Sequence, residues 1–251
     1  MKYCFQSKFT GLALMFISLC ASAQVGPGGP GGMGAAITKL FGENRAFTAK
    51  AEVQLLDSSQ KEIALMPMDF ALLDKSIRVE MDLTQGKNRE MPPGAADSLK
   101  QMGMARVISI INPNKKLAYV LYPDQKVVLN VPLPTDSTNS SASSKVEKTP
   151  LGNETVDGHA CVKNKVTLLD DAGQPVNVTL WNATDLKDFP VQIVTTENKN
   201  TTVMRFQQIQ FSRPDEKLFD PPAGFDKFNS PQALRYAATQ KNQANAPAKK
   251  K

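Results

Sequence analysis

The stretch FTAKAEVQL, residues 47–55, decides the fold: Phe47, Ala49, Ala51, Val53 and Leu55 alternate with Thr48, Lys50, Glu52 and Gln54. A period of two puts the apolar side chains on one face of a strand and the polar ones on the other, so one face of this strand is buried. Working outward, the same pattern returns in Met66, Met68, Phe70 and Leu72, and in Ile77, Val79, Met81 and Leu83 against Arg78, Glu80 and Asp82. It returns again in Val127, Leu129 and Val131, in Val162, Val166 and Leu168 against Lys163 and Lys165, and in Val176, Val178 and Leu180. Gln192 to Thr196 and Thr202 to Phe211 extend the series less regularly. Turn-forming clusters separate these runs at Leu73-Asp74-Lys75-Ser76, Asn112-Pro113-Asn114, Tyr122-Pro123-Asp124, Asp170 to Gln174 and Glu197 to Asn200. The pattern predicts about ten antiparallel strands.

Helical signals are few. Ala35 to Phe41 is apolar on one side before Gly42, Ala95 to Met102 lies between Pro92-Pro93-Gly94 and Gly103, and Pro231 to Thr239 begins with a proline suited to a first helical turn. A sheet with one long apolar face has to bury it, and helices this short cannot build a layered α/β fold. The expected architecture is mainly β: a curved, open antiparallel half-barrel of about ten to eleven strands, with the short helices lying in its concave mouth.

The ends of the chain read differently from its body. Lys2 and Lys8 precede the apolar run Gly11 to Leu19, and Ala21-Ser22-Ala23 supplies small residues, the pattern of a cleavable secretory signal over residues 1–23. The apolar run is shorter than the roughly 20 residues that cross a bilayer. Leu19 before Cys20 argues against lipidation there, since a lipidated cysteine follows a small residue. Removing the signal leaves Cys161 as the sole cysteine, so no internal disulfide is expected and the thiol should be sheltered by burial. Residues 24–34, QVGPGGPGGMG, form a flexible Gly/Pro-rich leader, residues 35–239 the folded domain, and residues 240–251 a Lys-rich tail expected to be disordered. Pro134 to Ser144 is a polar loop within the domain.

Against that frame of strands, several segments resemble the LolA-like superfamily of periplasmic lipoprotein carriers. Val107 to Pro132, VISIINPNKKLAYVLYPDQKVVLNVP, is similar to the hairpin series of those proteins. Phe219-Asp220-Pro221-Pro222-Ala223-Gly224-Phe225 resembles the F-x-P-P-x-G motif that closes their fold and is the most specific element. Gly152 to Cys161 followed by Trp181, and Leu73 to Met81, are similar to a sub-branch of undefined function. The resemblance implies an open half-barrel of roughly eleven strands that holds lipid or lipoprotein acyl chains in the bacterial envelope, without enzymatic activity. The carriers place a basic residue before proline in the turn into an early strand to lock a lid; this chain has Lys75-Ser76 instead. The implied function is therefore hydrophobic-ligand binding, with a periplasmic location and a monomeric state. The alternative on the same fold is an envelope sensor or interaction module that acts on a partner protein without carrying lipid.

The inward set expected to line the cavity is Phe47, Val53, Met68, Phe70, Val79, Met81, Tyr119, Leu121, Leu129, Val178 and Leu180. Alternation alone does not tell a packed core from a wall that touches lipid. Ten methionines suit a surface that adapts to flexible chains, and also suit an ordinary core. His159 and Cys161 share a strand parity with Lys163 and Lys165, which assigns them to the polar face and not to a nucleophilic site. One histidine and one cysteine do not make a structural zinc site, so neither metal nor cofactor is expected. A net charge of +6 and a basic tail suit solubility or a touch on anionic membrane surfaces. No basic stripe interleaves with aromatics, so nucleic acid is not an expected partner. The five Asn-x-Ser/Thr sites at Asn139, Asn153, Asn177, Asn182 and Asn200 would matter only in a eukaryotic secretory route.

Overall fold

The period-two segments become strands close to where the sequence places them. The computed structural model describes residues 36–133, 147–169, 175–197, 199–234 and 236; the expected signal segment, the Gly/Pro leader, the Lys-rich tail, the polar loop from Pro134 and the turn Asp170 to Gln174 lie outside the described residues. Helix α1 (Ala36–Leu40) precedes β1 (Ala46–Leu56), β2 (Glu62–Leu73), β3 (Ser76–Asp82) and the two-residue β4 (Lys87–Asn88). Helix α2 (Ala95–Gln101) leads into β5 (Arg106–Asn112), β6 (Leu117–Tyr122) and β7 (Val127–Pro132). The second half contains β8 (Lys148–Val156), β9 (His159–Leu169), β10 (Pro175–Ala183), β11 (Phe189–Glu197), β12 (Asn200–Gln210) and β13 (Asp226–Phe228), and a last helical turn covers residues 231–234.

Thirteen strands make one sheet in the order β13-β7-β6-β5-β3-β2-β1-β12-β11-β10-β9-β8, with β4 paired to β2 off that path. Two meanders therefore meet where β1 pairs with β12 near the middle of the sheet, and the sheet is open, because β13 and β8 end the path. The count exceeds the expected ten to eleven through three strands that carry no apolar alternation. Strand β4 is two residues long, β8 is exposed along nearly its whole length, and β13 has three residues. Strand β13 pairs with β7 in parallel, whereas every other pairing is antiparallel. Edge strand β8 carries Lys148, Pro150 and a register shift between Pro150 and Gly152, devices that discourage further strand pairing.

Register fixes the two faces. On β3, β2, β1 and β12, Val79 lies opposite Phe70, Phe70 opposite Ala49, and Ala51 opposite Phe206, so one face is continuously apolar. One core cluster joins that face, from β3 across to β9, with Ile37, Leu40 and Phe41 of the α1 segment. Phe41, just past α1, touches rings on β2, β1, β12 and β11, so four neighbouring strands converge on one side chain and the sheet curls around it.

The chain from β12 to β13 has to travel from mid-sheet to the far edge, and it does so across the opposite, convex face. Phe219 inserts there, 3% exposed, among Ile108, Ile110, Tyr119, Leu121 and Val128. Asn112 Nδ2 donates to the Phe219 carbonyl at 3.4 Å, Arg78 Nη1 donates to the Leu218 carbonyl at 3.4 Å, and Lys115 Nζ meets Asp220 Oδ1 at 2.5 Å. Gly224, at φ 81°, turns the chain into β13. The F-x-P-P-x-G segment is thus a strap across the convex side of the first meander.

Candidate functional site

The concave face divides into a filled half and a half-exposed half. At the filled end Phe41 is 1% exposed, and its ring centroid lies 4.9 Å from Phe47, 5.7 Å from Phe70, and 5.5 Å from both Phe189 and Phe206. Five rings from α1's end and four neighbouring strands therefore form a plug, with edge-to-face pairs such as Phe41–Phe206 and Phe47–Phe189 that aromatic quadrupoles favour. Phe47, Phe70 and Phe206 fall in the runs read from the sequence, whereas Phe189 precedes the run at Gln192; that Phe41 fills the space between the four depends on the helix folding back over the sheet.

Toward the other end the burial loosens. Val53 and Leu55 on β1, Ala64 and Met66 on β2, Met81 on β3, the following Leu83, and Thr195 and Thr202 on β11 and β12 are all half-buried. Gly86 lies close over Met66: a Cβ there would sit 2.7 Å from Met66 Cε and 2.9 Å from the Leu65 carbonyl oxygen. Two cross-strand rows lead out of this half toward the β8 edge, into buried residues. One is Met66–Val53–Met204–Ile193–Leu180–Asn164, and the next is Ala64–Leu55–Thr202–Thr195–Val178–Val166–Lys148. Both rows are apolar at β2 and fully buried at Leu180 and Val178 on β10; beyond that the first passes Asn164 on β9 to Pro150 on β8, and the second reaches Lys148.

Of the expected cavity wall, Phe47, Val53, Met68, Phe70, Val79, Met81, Val178 and Leu180 come together in or against one cluster. Leu129 joins a neighbouring cluster with Val107, Val120, Tyr122, Val127 and Leu234, against which Met81 also packs. Tyr119 and Leu121 lie elsewhere, under the Phe219 strap on the convex face, opposite Ile110 and Ile108. Strands β5 to β7 are apolar on both faces, so parity could not choose between them; Val120 and Tyr122 are the residues of β6 in the cluster with Leu129.

The polar end of the rows was not anticipated. Asn164 is 5% exposed and Asn182 0% exposed. Asn164 Nδ2 donates to Asn182 Oδ1 at 3.0 Å and to the Val162 carbonyl at 3.2 Å, and Asn182 Nδ2 donates to the Asp188 carbonyl at 2.8 Å. Two carbonyl oxygens around one atom of Asn164 identify that atom as the amide nitrogen. Among the described residues no donor reaches Asn164 Oδ1, and a buried acceptor left without a partner costs about 1–3 kcal/mol. Lys148 Nζ, at the end of the adjoining row, meets Asp188 Oδ2 at 2.7 Å. The sequence carries one sign of this site: in Val162, Asn164, Val166, Leu168 a polar residue occupies the apolar parity.

Cys161 is 2% exposed and lies in the core cluster, in agreement with a sheltered thiol; it shares a side of the β9–β10 pair with Lys163 and Trp181, and that side is buried where Cys161 stands. It faces Ala183 across the β9–β10 pair, close to the closed end of the sheet. His159 Nδ1 and Asp185 Oδ2 are 2.7 Å apart, so the imidazole does have an acid beside it, and this hydrogen bond holds the Asp185 carboxyl below its ordinary pKa. The thiol, however, donates to the backbone carbonyl of His159 at 3.3 Å, and burial pushes its pKa up, the reverse of an activated nucleophile. Further along the same side of that strand pair Trp181 Nε1 donates to Glu154 Oε2 at 2.6 Å, Lys163 Nζ to Glu154 Oε1 at 2.8 Å, and Lys163 lies over the indole at 4.9 Å. Those contacts, Lys163 first, hold the Glu154 carboxyl below its ordinary pKa.

No protein-family model matches the chain, and no curated protein matches it. Solved structures do. A LolA superfamily protein from Nitrosomonas europaea is 10% identical, with a TM-score of 0.38 covering 74% of this chain and 97% of that one. The lipoprotein LppX from Mycobacterium tuberculosis is 12% identical, with a TM-score of 0.40 covering 72% of this chain and 95% of that one. The MucA/MucB complex from Pseudomonas aeruginosa is 12% identical, with a TM-score of 0.35 covering 74% of this chain and 60% of that one. At such low TM-scores the functional reading is carried by the chain's own side chains.

Proposed function

We propose that this chain is an exported LolA-like half-barrel that binds an acyl chain or another lipid on its concave face, in the periplasm and as a monomer, without enzymatic activity. The observation that carries the reading is the half-buried apolar trough of Val53, Leu55, Met66 and Met81 beside a fully packed aromatic plug. Each methylene removed from water contributes about 0.8 kcal/mol, so eight of them supply about 6 kcal/mol before ordering costs, enough to retain an acyl chain. Methionine thioethers at the rim adapt to a flexible guest at little cost. A carrier role would have the protein release that guest to a membrane or a second protein.

A second reading, the envelope sensor or interaction module, is favoured by the plug itself: Ile37, Leu40 and Phe41 already occupy part of the concavity. The test is native mass spectrometry of protein purified from envelope extracts, followed by titration with a fluorescent acyl probe. Bound lipid, or probe binding that Met66→Glu abolishes, supports the lipid reading. Protein that stays empty and ignores the probe overturns it, and a stable cross-linked protein partner in the same extracts then supports the module.

A further inference from the structure

We propose that the guest of this fold is a single, unbranched acyl chain of membrane length, held in a diagonal seam that crosses the concave face from Val53 to Ala118. The inference rests on the lipid-binding reading and adds the shape of the guest and its path beyond the trough. The apolar side chains of the concave face belong to two clusters, one around α1 and one around Leu234, and strand register shows where they part. In one row Val79 lies opposite Ser109 and Ser109 opposite Val120. Val79 belongs to the first cluster and Val120 to the second, with the polar Ser109 between them. In the neighbouring row Ile111 lies opposite Ala118 and Ala118 opposite Val131. Ile111 packs against the first cluster and Val131 against the second, whereas Ala118 belongs to neither. On the other side of Ser109, Met81 lies opposite Val107 and packs against both clusters. The boundary therefore steps from Ala118 on β6 to Ser109 on β5 to Met81 on β3, and runs on into Met66 and Val53 of the trough.

Burial along this boundary shows that it is open. Ser109 and Ala118 are both only half-buried, although Val79 and Val120 beside Ser109 are 7% and 4% exposed. Ala49 and Ala51, equally small and on the same face beside the phenylalanine plug, are 6% and 4% exposed. A small side chain set between larger, buried neighbours reaches solvent only where nothing packs over it, so Ser109 and Ala118 floor a furrow among the described residues. From Val53 on β1 to Ala118 on β6 the seam crosses four inter-strand spacings, about 19 Å before any displacement along the strands is counted. A membrane acyl chain spans half of a hydrocarbon core about 30 Å thick, so the seam takes one at full length. It is one side chain wide in each row, which admits one chain and excludes two side by side.

The test is displacement of a fluorescent acyl probe from the full chain by decanoate, myristate and oleate. In the wild-type chain affinity should rise with length through oleate, by up to about fourfold for each added methylene that the seam shelters. Ala118→Leu fills the furrow and should weaken oleate binding about tenfold or more, the worth of two or more methylenes, while decanoate, short enough for Val53, Met66 and Met81, binds as before. Ser109→Cys exchanges an oxygen for a sulfur and reads the opening without added bulk. Its thiol should react with a thiol reagent where Cys161, 2% exposed, resists, and saturating oleate should protect it. Affinity that levels off at decanoate, or a rise that survives Ala118→Leu, overturns the seam while decanoate still reports the trough. A thiol at position 109 as unreactive as Cys161 overturns it as well, and two oleates counted per chain by native mass spectrometry overturn its one-chain width. Failure of the probe and of all three acids to bind overturns the underlying lipid reading instead.

Discussion

Truncating Phe41 to alanine tests how the concave face is closed. The ring is 1% exposed and meets four other phenylalanine rings at 4.9 to 5.7 Å, so its removal takes away the transfer free energy of a buried aromatic and leaves a cavity bounded by Phe47, Phe70, Phe189 and Phe206. Buried Phe→Ala substitutions cost about 3–5 kcal/mol. The four lining rings are anchored in four strands and cannot collapse inward freely, which places the expectation in the middle of that range, at about 4 kcal/mol. In a domain of this size each kcal/mol lowers Tm by about 2–4 °C, so a drop of roughly 8–16 °C is expected. Urea unfolding followed by circular dichroism measures the free energy directly, and an unchanged m-value would confirm that the folded state keeps its extent. A loss below about 1 kcal/mol would refute the packing argument, because it would mean that the α1 segment leaves the sheet at little cost and that Phe41 is not a plug.

Three further outcomes follow from other parts of the molecule. Phe219→Ala should also cost about 3–4 kcal/mol in urea, since the ring is 3% exposed under the strap, yet leave acyl-probe binding unchanged because it lies on the convex face; weakened probe binding would contradict the assignment of faces. Gly86→Ala should destabilise by about 1–3 kcal/mol through overpacking against Met66 and the Leu65 carbonyl, and Met66→Ala should relieve only part of that, because the carbonyl remains; thermal unfolding of the two single variants and the double variant decides it. Cys161 should resist a thiol reagent at pH 8 in the native protein and react promptly in urea, and native reactivity equal to that of the unfolded chain would show the thiol exposed. Because burial raises its pKa, the unfolded chain ionises first as pH rises past the ordinary thiol value. The contribution to stability is therefore full below that value and is lost on going up through the native pKa, so Cys161→Ala should flatten this alkaline decline.

How much of this was legible in residue order depended on the face each residue serves. Strands β1, β2, β3, β9 and β10 bury one face and show it as alternation, because side-chain direction in a strand has a period of two and register errors would expose the core. Local sequence also marked α1 and α2 through their glycine and proline stops, and the two Pro-led turns that became 3-10 turns at Pro113–Lys115 and Pro123–Gln125. It could not orient Tyr119 and Leu121, because β6 is apolar on both faces and the choice between them is made by a strap arriving from residue 219. Nor could it find β8 or β13, whose hydrogen bonds are supplied by β9 and β7 rather than by any apolar pattern of their own.

The amino-acid order by itself determined an antiparallel sheet with an oily side and its short helices, since each follows from local periodicity and turn chemistry. Tertiary structure alone decided which part of the oily side is sealed by Phe41, which part stays half-exposed around Val53 and Met66, and that Asn164, Asn182, Asp188 and Lys148 join in one polar network. Those outcomes depend on the curvature of the sheet and on where distant segments cross it, and curvature is a property of thirteen strands packed together that no single strand encodes.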